Sequence, residues 1–282
     1  MRKWLAGTAF CLLTIAHAAA APATQRMVAL GGDITETVYA LGAEHDLAGV
    51  DSTSEYPDAA RQLPNVGYLR QLSAEGVLAL RPQLILATAD AGPPPVLAQL
   101  QSAGVRIEKM PLAHTAAAVI EKVQRIGALL GRSAQAGQLV QKLQAQYATL
   151  ARAVAAMPTH PRVVFLLSAG AGSPMAAGRA TAADSAIALA GGSNAVAAFS
   201  GYKPVSAEAL VALKPDVIVL MRERSEALGG VDGVLRLPGV AQTPAGIAKR
   251  IVFVEGQALL GFGPRNAGHE QALQKTLAAA PP

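Results

Sequence analysis

Tyr68 and Arg70, two residues apart in Gly67-Tyr68-Leu69-Arg70, are the pair in this sequence best suited to shared chemistry. A tyrosine phenol loses its proton near pH 10, so ionising one at pH 7 costs about 4 kcal/mol. A guanidinium beside the oxygen lowers that cost by favouring the charged form. Two steps along extended chain return a side chain to the same side, so an extended segment would bring Arg70 next to Tyr68. Taken alone, Tyr68 reads more readily as a tyrosine packed at an interface. Glu75 stands a few residues on, and its counterpart Glu208 follows Gly201-Tyr202 in the second half of the chain. Carboxylates at such points favour the dipole of a helix start.

Other chemistries find little support. Gly170-Ala171-Gly172 follows an apolar run, but Met175 stands where a dinucleotide loop needs its third glycine. No nucleophile elbow and no P-loop occurs. His45, His114, His160 and His269 are scattered, without the spacing of zinc or manganese ligands. His114 and His160 fall at element boundaries and are expected to be solvated. These patterns argue against an enzyme.

The elements that must position Tyr68 and Arg70 alternate in type. Strands are expected at Met27–Leu30, Leu84–Ala87, Val105–Ile107, Val163–Leu167, Val217–Leu220 and Ile251–Val254. Helical stretches fall near Ile34–Leu41, Ala74–Leu80 and Val96–Ala103 in the first half. Such alternation implies βαβ units and a mainly parallel sheet. The sequence also repeats: Gly67-Tyr68 leads into Ser73-Ala74-Glu75 and on to Leu80-Arg81-Pro82, and Gly201-Tyr202 into Ser206-Ala207-Glu208 and Leu213-Lys214-Pro215. Each copy has a serine N-cap, a short helix, a basic-proline breaker and a buried strand. The spacing from Tyr to Ser differs by one residue between the copies, which leaves the orientation of Tyr202 open.

Two copies imply two similar lobes. Between them Thr115–Leu130 is periodic, and from Ala134 to Ala156 Leu139, Leu143, Tyr147 and Leu150 share one helical face. About 23 residues at 1.5 Å rise give a rod of about 34 Å, enough to tie one lobe to the other. The fold class is therefore α/β: two lobes with mainly parallel sheets, a long backbone helix joining them, and a ligand cleft between. The divisions are 1–21 as an export signal, 22–132 and 158–282 as lobes, and 133–157 as the connecting helix.

The export signal rests on Arg2-Lys3, the apolar Trp4–Ala16, and small residues ending in Ala18-Ala19-Ala20. Its removal takes away Cys11, the single cysteine, and leaves 22 basic against 19 acidic residues. No disulfide is then needed in an oxidising compartment. The basic excess is scattered and not interleaved with aromatics, which excludes a nucleic-acid surface. No later segment is apolar and long enough to span a bilayer.

Further segments carry a resemblance. Val28-Ala29-Leu30, Glu36 with Ala40-Leu41-Gly42, Val50-Asp51 and Tyr56-Pro57 are joined by Asn65 through Gly76 and by Ala91-Gly92-Pro93-Pro94. The second lobe adds Met175-Ala176-Ala177-Gly178-Arg179, Gly201-Tyr202-Lys203-Pro204 and Leu260-Gly261-Phe262-Gly263-Pro264-Arg265. In this order the chain resembles the helical-backbone (class III) substrate-binding proteins of ABC importers, within them the periplasmic heme-binding branch.

The resemblance implies that Tyr68 is the axial ligand of a ferric heme iron, a use for which a hard phenolate oxygen is suited. Arg70 then supports the phenolate or pairs a heme propionate, and Tyr202 lines the pocket or contacts a propionate. Pro93, Met175 and the Leu228-Gly229-Gly230 turn supply apolar wall. Some relatives carry a histidine where this chain reads Leu166 through Gly172; its absence points to one five-coordinate heme. Glu75 and Glu208 become docking points for an inner-membrane permease dimer with its ATPase. The implied protein is an exported periplasmic monomer that captures heme as cargo and is not membrane-embedded. Cobalamin or a ferric siderophore is the alternative ligand, although siderophore sites call for more cations than one arginine.

Overall fold

The computed structural model describes residues 25–168 and 174–280. The export signal, Ala169–Gly172 and the last two residues lie outside the described residues.

The first lobe is a parallel sheet of β1 (Met27–Leu30), β2 (Leu47–Val50), β3 (Leu84–Thr88) and β4 (Arg106–Met110), in the order β2-β1-β3-β4. Helices α1 (Gly32–Ala40), α2 (Ala74–Leu78), α3 (Pro94–Ser102) and α4 (Ala116–Leu129) connect and cover it. Next, α5 (Ser133–Ala155) runs between the lobes and packs on α4 and on the last helix. Its buried stripe is Ala136, Val140, Leu143, Tyr147 and Leu150, the three-and-four spacing of one helical face. Leu139 is only partly buried, because Val140 takes the inward position beside it.

The second lobe holds β5 (Arg162–Ser168), β6 (Met175–Ala177), β7 (Ser193–Asn194), β8 (Tyr202–Pro204), β9 (Val217–Met221) and β10 (Ile251–Val254). The sheet order is β10-β9-β5-β6-β8, with β7 beside the start of β5. Its β9, β10 and β7 contacts are parallel, and β5-β6-β8 runs antiparallel. Around it lie α6 (Ala182–Leu189), α7 (Ala207–Leu213), α8 (Ser225–Leu228), α9 (Gly230–Leu235), α10 (Pro244–Ile247), α11 (Gly256–Leu260) and α12 (Asn266–Ala278).

Strand alternation explains the cores. Met27 and Ala29 face one apolar cluster and Val28 and Leu30 another; Val163 and Phe165 divide from Val164 and Leu166 in the same way. Both faces of each sheet are thus buried, as parallel sheets require. The cluster on the inner faces is continuous through α5 from Met27 to Leu277, so the two lobes share one core.

The repeat survives in backbone detail. Arg81 and Lys214, the basic residues before Pro82 and Pro215, take matching left-handed conformations at φ 48° and 47°. Arg26 donates from Nε and Nη2 to the Leu80 carbonyl, and Arg162 does the same to Leu213.

Candidate functional site

The carboxyl ends of the parallel strands from both sheets meet at the lobe junction, where loops in α/β proteins build their sites. Gly31-Gly32 follows β1, Ser52 to Tyr56 follow β2, Asp90 to Pro93 follow β3, and Pro111 to His114 follow β4. From the other side comes the segment after β10, where Gln257 donates to the Gly32 carbonyl at 3.0 Å. Among the described residues no group of His, Cys, Asp or Glu is arranged to hold a metal ion by itself, and no helix is long and apolar enough to cross a membrane.

Tyr68 is 38% exposed, one of the few large apolar side chains left open. Arg70 Nη1 donates to the Tyr68 hydroxyl, and Arg70 Nη2 pairs with Asp90. The segment is a turn closed by Gln71 N–H to the Tyr68 carbonyl at 2.8 Å, not the extended chain expected above. The turn, preceded by Gly67 at φ 88°, still carries the guanidinium over the ring, 5.4 Å from its centroid. Burial works against the Arg70 charge, but the Asp90 carboxylate and then the Tyr68 phenol outweigh it and hold the guanidinium more firmly protonated than usual. Burial likewise opposes the Asp90 charge, yet the nearby Thr88 hydroxyl and Arg70 bring its carboxyl below the ordinary range. A cation fixed from behind by one carboxylate and aimed at an open phenol is suited to support a phenolate.

Tyr202 is placed otherwise. It opens β8, where Ala177 of β6 is its partner, and it packs against the shared core. Burial pushes its phenol up, while the Ala183 backbone, the Thr181 side chain and the Arg70 charge pull the other way. Its hydroxyl thus sits at the start of α6, within the electrostatic reach of Arg70.

Pro93 is exposed beside the start of α3, and Met175 is half-buried at the start of β6. Leu228 is half-buried against the second lobe's outer core, with Gly229 and Gly230 both at positive φ. Glu75 and Glu208 are exposed in the first turns of α2 and α7, each behind a serine cap: Ser73 Oγ lies 3.5 Å from Gly76 N, and Ser206 Oγ 3.2 Å from Ala209 N. Hydrogen bonds from its own N–H and from Ser206 hold the Glu208 carboxyl below the ordinary range.

Asp90 escaped the sequence reading. Nothing local marks Asp90, whose partner lies 20 residues away. His114, expected to be solvated, is half-buried with its ring 5.1 Å from Phe262. Burial and then Lys122 lower its pKa, with Asp33 and Asp90 opposing. A cavity of about 640 Å³ lies apart from Tyr68, between α1, α5 and α12, and holds none of the expected ligand residues.

A polar seam joins the lobes. Lys122 pairs with Asp33 and donates to the Phe262 carbonyl at 3.2 Å. Glu36 accepts from Arg265 N at 2.7 Å and Nε at 3.0 Å. Burial raises the Glu36 carboxyl despite Arg265.

Comparisons with known proteins agree with this architecture. The sequence pattern of the family described as "Periplasmic binding protein" matches residues 27–258. Among solved structures the chain is similar to the periplasmic heme-binding protein BhuT in complex with two hemes, with TM-score 0.86 and 40% identity over 91% of this chain and 98% of that one. It is similar to the periplasmic heme-binding protein RhuT from Roseiflexus sp. RS-1 in apo form, with TM-score 0.86 and 39% identity over 91% and 98%. A periplasmic heme-binding protein from Pseudomonas aeruginosa gives TM-score 0.83 and 38% identity over 92% and 94%. A vitamin B12-binding protein of Yersinia pestis (strain Pestoides F) is 28% identical over 207 residues, 73% of this chain and 72% of its own length. By their descriptions these are binding proteins. With the match running through both sheets, from β1 into α11, the chain belongs to the periplasmic binding protein family.

Proposed function

We propose that this protein captures ferric heme in the periplasm and delivers it to an inner-membrane ABC importer. The observation that carries the reading is the open Tyr68 phenol with Arg70 against it and Asp90 behind. In this reading Tyr68 ligates the iron of the cargo as phenolate and Arg70 stabilises it, the ferric charge supplying most of the cost of ionisation. Pro93, Met175 and Leu228-Gly229-Gly230 offer wall to the porphyrin, and Tyr202 lines the far side with its hydroxyl turned to α6. Similarity to heme-binding proteins at 38–40% identity supports heme over cobalamin, whose named relative is 28% identical.

The division of labour follows. Residues 1–21 direct export, 22–132 and 158–282 act as lobes about the 133–157 helix, and the monomer presents Glu75 and Glu208 to the two permease subunits. The carrier itself performs no catalysis. Titration of the purified protein with hemin tests the reading: a one-to-one complex with the spectrum of tyrosinate-ligated ferric heme is expected. Tighter binding of cobalamin than of hemin would overturn it, and a two-to-one complex would overturn the single-heme expectation alone.

A further inference from the structure

We propose that Gln257 is a positioning residue that sets the Tyr68 loop relative to the second lobe, and so the width at which the cleft holds its cargo; this rests on the heme reading above. Gln257 lies in α11, yet its side chain crosses the lobe junction. Its Oε1 accepts from Glu55 N–H at 2.8 Å and Tyr56 N–H at 3.0 Å, and its Nε2 donates to the Gly32 carbonyl at 3.0 Å. One amide thereby satisfies three backbone groups on the loops that end β1 and β2.

Those two loops are braced against each other. The buried Asp51 accepts from Gly31 N–H at 2.9 Å and Ser54 Oγ at 3.0 Å through Oδ1, and from Thr53 N–H and Oγ1 at 3.0 and 2.8 Å through Oδ2. Gly32 N–H donates to Thr53 Oγ1 at 3.0 Å. The braced pair is stitched to the iron-ligand loop: Ser52 N–H donates to the Gly67 carbonyl at 2.9 Å, and Val66 N–H to the Val50 carbonyl at 3.0 Å. Tyr68 follows at once. A path of hydrogen bonds therefore runs from the second lobe, through Gln257 and the β2 loop, to the residue before Tyr68.

The fit around the amide is close. A Cβ on Gly32 would stand 2.5 Å from the Thr53 carbonyl and 2.8 Å from Gln257 Cδ. Lys122 and Glu36 also bridge the lobes, but they hold α1; Arg265 stacks on the Tyr56 ring at 3.4 Å. Gln257 holds the backbone of the β2 loop from across the junction.

The test combines an inter-lobe ruler with cargo binding. Cys11 is the sole cysteine of the sequence, so mature protein carrying Gln101→Cys and Ala248→Cys, both at exposed positions, can be spin-labelled once per lobe. In Gln257→Leu, pulsed electron paramagnetic resonance should show a broadened distance distribution, and hemin should bind about tenfold more weakly if the competent arrangement falls to about a tenth of the population. The bound spectrum should stay that of wild type, because Tyr68 is intact. Gly32→Ala, whose methyl would press on both the amide and the Thr53 carbonyl of the β2 loop, should reproduce both effects. Gln257→Glu should share the defect at neutral pH and recover as pH falls through the carboxyl range, since a protonated carboxyl accepts and donates as the amide does. Asp51, Glu55 and Arg265 are ionisable groups of the same junction, so each reading is taken relative to wild type at that pH. Unchanged distances and affinity in Gln257→Leu and Gly32→Ala, or a Gln257→Glu defect that ignores pH, would overturn the proposal. Failure of wild type to bind hemin would instead sink the functional reading, while the distance distributions still decide the clamp.

Discussion

The two Gly-Tyr loops begin alike and end differently. Gly67 and Gly201 both take positive φ, at 88° and 79°, and each loop leads to a serine-capped helix with a glutamate in its first turn. One residue more separates Tyr68 from Ser73 than Tyr202 from Ser206. The longer connection closes a turn that leaves Tyr68 open under Arg70. In the shorter one Tyr202 is drawn into the β6-β8 ladder, where its hydroxyl meets α6. A duplicated frame thus yields one tyrosine free to meet a ligand and one committed to the protein.

Substitutions can break that comparison, beginning where the largest loss is expected. Tyr68→Ala should weaken hemin binding on the order of a hundredfold, as loss of a central anchor does, whereas Tyr202→Ala should cost only a few-fold, about 1 kcal/mol. Isothermal titration of both variants compares them directly. Arg70→Ala should cost about tenfold in hemin affinity by removing a charge-assisted hydrogen bond. Asp90→Asn should fall between that and wild type, because it loosens Arg70 without deleting it. Charge reversal at Glu75 together with Glu208 should leave hemin affinity unchanged and abolish transfer to permease in vesicles; loss of hemin binding would count against docking.

The conserved half of the frame gives smaller, matched effects. Arg26→Ala and Arg162→Ala each remove two hydrogen bonds to a helix-end carbonyl. Each should lower stability by about 1 kcal/mol, read by urea denaturation, and unequal losses would show that the repeat is geometric but not energetic. Titration of the phenols gives the finest distinction. Burial raises Tyr202, so its folded value exceeds its unfolded one. The stability this confers is present below pH 10 and is lost as pH rises through the raised value. Near-ultraviolet difference absorbance should therefore lose a high-titrating phenol in Tyr202→Phe.

Much of the frame was legible because apolar periodicity is local. The strands Met27–Leu30 and Ile251–Val254 match their expected bounds, and α5 begins and ends one residue from the stretch expected from Ala134 to Ala156. Strand β2 was not anticipated, since Leu47-Ala48-Gly49-Val50 is short and has a glycine in it. The three-residue β6 and β8 carry too few side chains to show a period, and their antiparallel pairing comes from the sheet edge. The Tyr68–Arg70 contact was foreseen for the wrong reason, an extended segment where the chain turns. Asp90 and Gln257 were invisible for a different cause. Their partners are distant in sequence, 20 residues away for Asp90 and about 200 for Gln257. Only folding brings them together.

If the two tyrosines are unequal, Tyr68 alone should meet the iron. Resonance Raman spectra of the hemin complexes of Tyr68→Phe and Tyr202→Phe test it most directly. The iron–tyrosinate vibrations should persist in Tyr202→Phe and vanish in Tyr68→Phe. Their survival in Tyr68→Phe, or their loss in Tyr202→Phe, would contradict it.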